Sequence, residues 1–161
     1  MSAYGNPNEC GKFLITHLTG KVYIYLAITW VMPKDIAYIG STLRMSSGYE
    51  RLLGNRTRQF RLADQGLEAI AKDKFSVIIV DDVLAAGSLD LPPEIAISDH
   101  PGIACHVIRQ IRQTPLNRDT PILANVVEVE AYTPKEIYER AGATKCVEGL
   151  FLIVEEISRL P

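Results

Sequence analysis

An α/β fold is predicted for this chain of 161 residues, in the form of a doubly wound sheet of five parallel strands. The first observation is that short apolar runs alternate with segments of helical periodicity from residue 35 onward, as crossover helices between parallel strands require. The second is that these runs are too apolar for strands with one face in water, so helices are expected on both faces of the sheet.

The predicted strands are short runs bounded by glycine, proline or charged residues. The strongest is residues 75–80, because β-branched residues dominate it and because Asp81 and Asp82 end it. In chain order, the five predicted strands are residues 36–39, 59–63, 75–80, 121–127 and 144–147.

Helices are predicted after these strands from apolar residues that recur at helical spacing. In the helix after the second strand, Leu67, Ile70 and Ala71 are expected to share the buried face. Gly142 is expected to end the helix before the fifth strand, because glycine is the residue that most often follows a helix. The other predicted helices cover residues 43–53, 102–112 and 150–160.

A long connection follows the third strand. Residues 84–101 contain Pro92 and Pro93, which disfavour a regular element across the segment. The segment also exceeds the two to six residues that are usual, roughly, for a connection between strand and helix. We expect it to lie over the carboxyl edge of the sheet near Asp81 and to block access there in part.

Composition and charge exclude several classes of function. The net charge is −2, so the chain lacks the basic field that drives nucleic-acid binding. Three cysteines without CxxC spacing argue against a disulfide framework and a zinc site, which favours a reducing, cytoplasmic location. Residues 13–32 are long enough to span a bilayer, but Lys21 lies near their middle, so no membrane span is expected.

Residues 1–34 are predicted to form an amino-terminal extension, separate from the domain at residues 35–161. Residues 13–31 have the pattern of a β-hairpin with a glycine-containing turn. A lone hairpin is marginally stable in water, so its apolar side chains need a partner surface. We expect a homodimer contact or a contact with another protein here. The candidate interface residues are Phe13, Tyr23, Tyr25 and Trp30.

Further clusters of polar residues are candidate sites. Asp81 and Asp82 fit a metal or phosphate site, but a polar pair that ends a strand at the surface is the favoured interpretation. The long connection contains Asp90, Glu94 and Asp99, for which a solvated acidic loop is favoured over replacement metal ligands. A second cluster is His100, Cys105 and His106, for which a packed cysteine with surface histidines is favoured over a metal site or a reactive centre.

Four stretches, in their order and spacing, resemble the receiver domain of response regulators in bacterial two-component signalling, the CheY-like family. They are residues 62–70, 75–81, 102–112, and 121–123 with 141–143. The resemblance covers about residues 36–160, and it implies a flavodoxin-like fold. It also implies that Asp81 stands at the phosphoacceptor position of the phosphorelay.

The other functional positions of the family differ in this chain. The resemblance places the acidic pair that holds Mg²⁺ at Gly40 and Ser41, the hydroxyl residue at Val126 and the lysine at Gly149. Cys146 stands where the family often has an aromatic switch residue. Mg²⁺ prefers several hard oxygen ligands, and Asp81 alone offers few. The resemblance therefore implies a degenerate pseudo-receiver, a non-enzymatic domain that works by protein–protein interaction and needs no cofactor or metal.

Two other functions remain open at this point. One is a receiver that takes phosphate on Asp81 from a histidine kinase, with Mg²⁺ in an atypical site. The other is a flavodoxin-like domain that binds a small molecule. The geometry around Asp81 distinguishes them, because they differ in whether residues 40, 41, 126 and 149 converge there.

Overall fold

The predicted sheet is present in the computed structural model, which describes residues 35–40, 57–96, 102–126 and 135–160. The sheet is five-stranded and parallel, in the order β2-β1-β3-β4-β5. This confirms the α/β fold with a flavodoxin-like sheet. The predicted hairpin and the predicted helix at residues 43–53 lie outside the described residues. The strands are β1 (Ile36–Ile39), β2 (Thr57–Phe60), β3 (Val77–Asp81), β4 (Ile122–Val126) and β5 (Lys145–Glu148).

Helices cover both faces of the sheet. Successive residues of each buried strand point to opposite sides, so each face carries apolar side chains that need a covering helix. Ala37 and Ile39 of β1 belong to the core beneath α1, α3 and α4, whereas Ile36 and Tyr38 belong to the core beneath α5. Among the described residues, no helix is long and apolar enough to cross a membrane. The helices are α1 (Ala63–Lys72), α2 (Pro93–Ala96), α3 (Gly102–Gln113), α4 (Glu136–Ala141) and α5 (Leu150–Arg159).

The second strand and its helix differ in detail from the prediction. The strand is Thr57–Phe60 rather than residues 59–63, because Leu62 makes an isolated bridge to Ala85 and Ala63 begins α1. Ala71 is exposed, whereas Gly66 is buried against Ile39. A Cβ at Gly66 would stand 2.7 Å from Cδ1 of Ile39, so the helix approaches the sheet through its smallest residue. A pattern of large apolar residues gives no sign of such a contact.

The described part of the connection after β3, which ends at residue 96, contains a short helix. The prediction that its prolines exclude helix is wrong for Pro93, which begins the four-residue helix α2. Proline is tolerated in the first turn, where its missing N–H has no helical partner to lose. The prediction that Gly142 ends the helix after β4 is confirmed. Gly142 follows the last residue of α4, and its φ is 113°.

The first part of this connection is fixed to the start of α1. Ala63 donates its backbone N–H to the Ala85 carbonyl at 2.9 Å. The backbone N–H and the hydroxyl of Ser88 both donate to Asp64, at 2.8 and 2.6 Å. These hydrogen bonds from Ser88 lower the pKa of the Asp64 carboxyl. The loop is therefore held near the end of the edge strand β2, and its expected position over Asp81 stays a prediction.

Asn117 organises the opposite, amino edge of the sheet. Its side chain is fully buried, and its amide donates to the carbonyls of Ile70 and Asp73, both at 2.7 Å. Its carbonyl oxygen accepts from the Phe75 backbone at 3.0 Å and from the Thr120 hydroxyl at 3.1 Å. One amide side chain therefore connects the end of α1, the start of β3 and the approach to β4.

Asn117→Ala should lower the free energy of unfolding by about 2–4 kcal/mol, because it leaves several buried backbone groups without partners. Urea denaturation followed by circular dichroism measures the change. Gln113→Ala, an exposed position at the end of α3, serves as the control and should change it by less than about 0.5 kcal/mol. Equal stability of Asn117→Ala and the wild type would contradict the role of Asn117.

Candidate functional site at the carboxyl edge of the sheet

Asp81 is the last residue of β3, the central strand, and its side chain is fully buried. Asp82, which follows it, is only 9% exposed. The interpretation of these residues as a polar pair at the surface is therefore wrong. The sequence pattern placed both at the end of a strand, but it carried no information on what covers that end.

Two polar side chains of neighbouring strands hold the Asp81 carboxyl group. The Tyr38 hydroxyl of β1 donates to Oδ2, and the Asn125 amide of β4 donates to Oδ1 at 2.7 Å. Asp81 pairs directly with Asn125 in the sheet register, while Tyr38 is opposite Ile79, two residues before Asp81 on the same face. Both carboxyl oxygens are thus engaged by the protein itself, as a buried carboxyl requires.

Gly40 allows this arrangement because it has no side chain. A Cβ at residue 40 would stand 2.0 Å from Oδ2 of Asp81, 2.5 Å from its Cγ and 2.8 Å from the Tyr38 hydroxyl oxygen. The space that a side chain at residue 40 needs is therefore filled by Asp81 and Tyr38. Ser41, the second position of the acidic pair in the resemblance, lies outside the described residues.

The two remaining positions of the resemblance differ in their relation to Asp81. Val126 is buried, and its side chain packs in the core beneath α1, α3 and α4, on the opposite face from Asp81. Gly149 reaches the site through its backbone, whose N–H donates to Oδ1 of Asn125 at 3.3 Å. Its φ of 80° favours glycine, although a Cβ there would meet no atom within 4 Å.

The described residues do not fit the magnesium site of the resemblance. A hard cation needs several oxygen ligands, but Gly40 offers no side-chain oxygen, and each oxygen of Asp81 already accepts a hydrogen bond from a neighbouring strand. By strand alternation Asp82 points to the other face, where its charge, after burial, helps to raise the pKa of the Tyr138 hydroxyl. Within the described ranges, no three histidine, cysteine or acidic residues form a group that could hold a metal ion.

The other candidate residues are dispersed. Asp90 and Glu94 are exposed, in agreement with a solvated loop, while Asp99 and His100 lie outside the described residues.

Cys105 is buried, which confirms a packed cysteine, and its neighbour His106 is partly exposed. Burial raises the pKa of the Cys105 thiol, and it raises the pKa of Cys146 to about 11. Both thiols are therefore protonated at neutral pH, which disfavours nucleophilic chemistry. The interface candidates Phe13, Tyr23, Tyr25 and Trp30 also fall outside the described residues.

The sequence analysis missed Tyr38 and Asn125. The available signal was weak: each is a hydrogen-bonding residue inside an otherwise apolar strand. The alignment of strands that brings both to Asp81 is a property of the sheet register, which no single strand encodes.

Comparison with models of protein families and with curated protein sequences finds no match. Solved structures do match. The receiver domain of the sensor histidine kinase PA1611 from Pseudomonas aeruginosa PAO1, which has a magnesium ion in its active site cleft, is 17% identical; the match covers 79% of this chain and 96% of that chain, with a TM-score of 0.59.

Two further structures match over a similar range. The receiver domain of the Francisella response regulator 1452 is 12% identical, over 79% of this chain and 95% of that chain, with a TM-score of 0.59. The Vibrio cholerae chemotaxis protein CheY4 is 16% identical, over 78% of this chain and 97% of that chain, with a TM-score of 0.58. The chain therefore has the fold of response regulator receiver domains.

Tyr38→Phe should lower the free energy of unfolding by about 1–3 kcal/mol, because a buried carboxyl oxygen loses its donor. The same substitution in an Asp81→Ala background should cost distinctly less, since the partner is already absent. Chemical denaturation of the four proteins of this cycle measures the coupling. Equal costs in both backgrounds would show that the hydrogen bond contributes nothing.

Gly40→Ala should destabilise the wild type by about 2–3 kcal/mol, since the added methyl group overlaps the Asp81 carboxyl. In the Asp81→Ala protein, which lacks that carboxyl, the same change should cost less than about 1 kcal/mol. Thermal and urea unfolding provide the comparison. A large cost that persists without the carboxyl would place the clash elsewhere.

Proposed function

We propose that this chain is a pseudo-receiver: a non-enzymatic signalling domain, of cytoplasmic location, that acts by protein–protein interaction without magnesium-dependent phosphorylation of Asp81. The observation that carries the proposal is the enclosure of Asp81. Tyr38 and Asn125 occupy its two oxygens, and the carboxyl itself fills the space of a side chain at residue 40.

Phosphoryl transfer to a carboxylate needs one oxygen free to attack and positive groups to stabilise the charge on the transferred phosphoryl. In this chain both oxygens of Asp81 already accept hydrogen bonds, which makes them weaker nucleophiles, and the side chain is fully buried, which keeps a phosphodonor away from it. Gly149 supplies no cation where the resemblance implies a lysine, and Val126 supplies no hydroxyl. These features support a domain that keeps the receiver fold and has lost its phosphorylation chemistry.

The proposed partner is another protein or a second copy of this chain. The surface offered for it is the sequence-predicted hairpin, residues 13–31, with its aromatic residues. A net charge of −2 gives no support to a nucleic-acid partner. Deletion of residues 1–34 would separate the role of this segment from that of the domain at residues 35–161.

Full-length protein should form no adduct on Asp81 with beryllofluoride or acetyl phosphate in millimolar Mg²⁺, because the carboxyl is fully buried between Tyr38 and Asn125 and glycine stands at the lysine position of the resemblance. Fluorine NMR and intact-mass spectrometry measure the adduct, and a receiver domain with the complete acidic pair serves as the positive control. Asp81→Asn is the matched variant.

An adduct on the wild type that Asp81→Asn abolishes would overturn the proposal and establish the phosphorylatable receiver instead. An adduct that persists in Asp81→Asn would arise at another residue and would leave the proposal standing. Saturable binding of a small molecule that Tyr38→Phe or Asn125→Ala alters would favour the ligand-binding alternative.

A further inference from the structure

The side chain of Asn125 connects Asp81, at the end of β3, to Gly149, which precedes α5. Its Nδ2 donates to Oδ1 of Asp81 at 2.7 Å, and its Oδ1 accepts from the Gly149 backbone N–H at 3.3 Å. The side chain is fully buried. The Gly149 N–H can only donate, so a single orientation of the amide serves both contacts.

Gly149 is held by both of its backbone groups. Its N–H donates to Asn125, and its carbonyl accepts from the backbone N–H of Ile153 at 3.2 Å, within the first turn of α5. Its φ of 80° lies in a region that few other residues adopt. The path of the chain from β5 into α5 therefore depends on the hydrogen bond between Gly149 and the side chain of Asn125.

The hydrogen bonds continue across three strands. The Tyr38 hydroxyl of β1 donates to the carboxyl of Asp81 on β3, which accepts from Asn125 on β4. All three side chains lie on the face that α5 covers, and the line ends at the residue that precedes this helix. A change in the hydrogen bonding of Asp81 thus has a physical route to the start of α5.

We propose that the side chain of Asn125 ties Asp81 to the turn between β5 and α5. Loss of its hydrogen bond to Asp81 would weaken its hydrogen bond to Gly149. The tie holds this edge of the domain in one arrangement without a covalent modification. The inference deepens the proposed function and rests on it, since a domain that is not switched by phosphorylation needs its state fixed by its own residues.

Amide hydrogen exchange of the full-length protein, followed by NMR without Mg²⁺ or phosphodonor, tests the tie. Asp81→Ala should raise the exchange rate of the Gly149 amide at least about tenfold, because the effect reaches Gly149 through the side chain of Asn125. In an Asn125→Ala background the same substitution should produce no further increase. The amide of Ile70 in α1 reports global stability, so the increase at Gly149 is measured relative to the change at Ile70 in the same variant.

Asp81→Asn is the matched control, because its amide oxygen still accepts from Asn125, and Gly149 exchange should stay within about threefold of the wild type. If Asp81→Ala does not fold, Tyr38→Phe takes its place and should raise Gly149 exchange severalfold with Asn125 present and not at all with Asn125→Ala.

An effect on Gly149 that is absent, or that is equally large with and without Asn125, would overturn the tie. An adduct on Asp81 in the phosphorylation experiment would overturn the proposed function and leave this measurement intact, so the two failures can be told apart.

Discussion

The buried carboxyl group of Asp81 is the constraint on which the carboxyl edge of the sheet depends. An unpaired carboxylate in an apolar interior would cost far more than a domain of this size can tolerate. Tyr38 and Asn125 remove that cost by donating one hydrogen bond to each oxygen. Because each donor belongs to a neighbouring strand, the carboxyl group also fixes how β1, β3 and β4 end relative to one another.

The opposite edge of the sheet is organised by side chains that satisfy backbone groups. Asn117 connects α1, β3 and the approach to β4, while Arg112 donates to the carbonyls of Thr120 and Gly142 at 2.7 and 2.8 Å. Burial lowers the pKa of Arg112, but the guanidinium stays charged at neutral pH. Both edges of the sheet are therefore organised by buried polar side chains whose hydrogen bonds connect neighbouring elements.

The sequence predicts the sheet well because its strands are buried on both faces. Residues 36–39 are bounded correctly, and β3 and β4 are located within about two residues, because each is a continuous apolar run bounded by turn or charged residues. β2 is misplaced because it is a polar edge strand, and its boundary is decided by the contact between Leu62 and Ala85 in a distant loop. Periodicity cannot report a contact of that kind.

The site is harder to predict than the fold for a related reason. Asp81 can be located from the end of an apolar strand, and the resemblance adds Gly40 and Gly149. Tyr38 and Asn125 acquire their role only through the pairing of Tyr38 with Ile79 and of Asp81 with Asn125. A polar residue inside a buried strand is the one local sign of them, because such a residue needs a partner on the same face.

The departures from the receiver pattern are physically coupled. Residue 40 must be small because Asp81 and Tyr38 fill the space that a side chain there would need. Restoring an acidic residue at position 40 would therefore push a second carboxyl group against Asp81 before any cation could bind. A change at residue 40 thus also affects the contacts that Asp81 makes with Tyr38 and Asn125. Residue 40, Tyr38 and Asn125 therefore act together to bury Asp81, because the first leaves the space and the other two supply the hydrogen bonds.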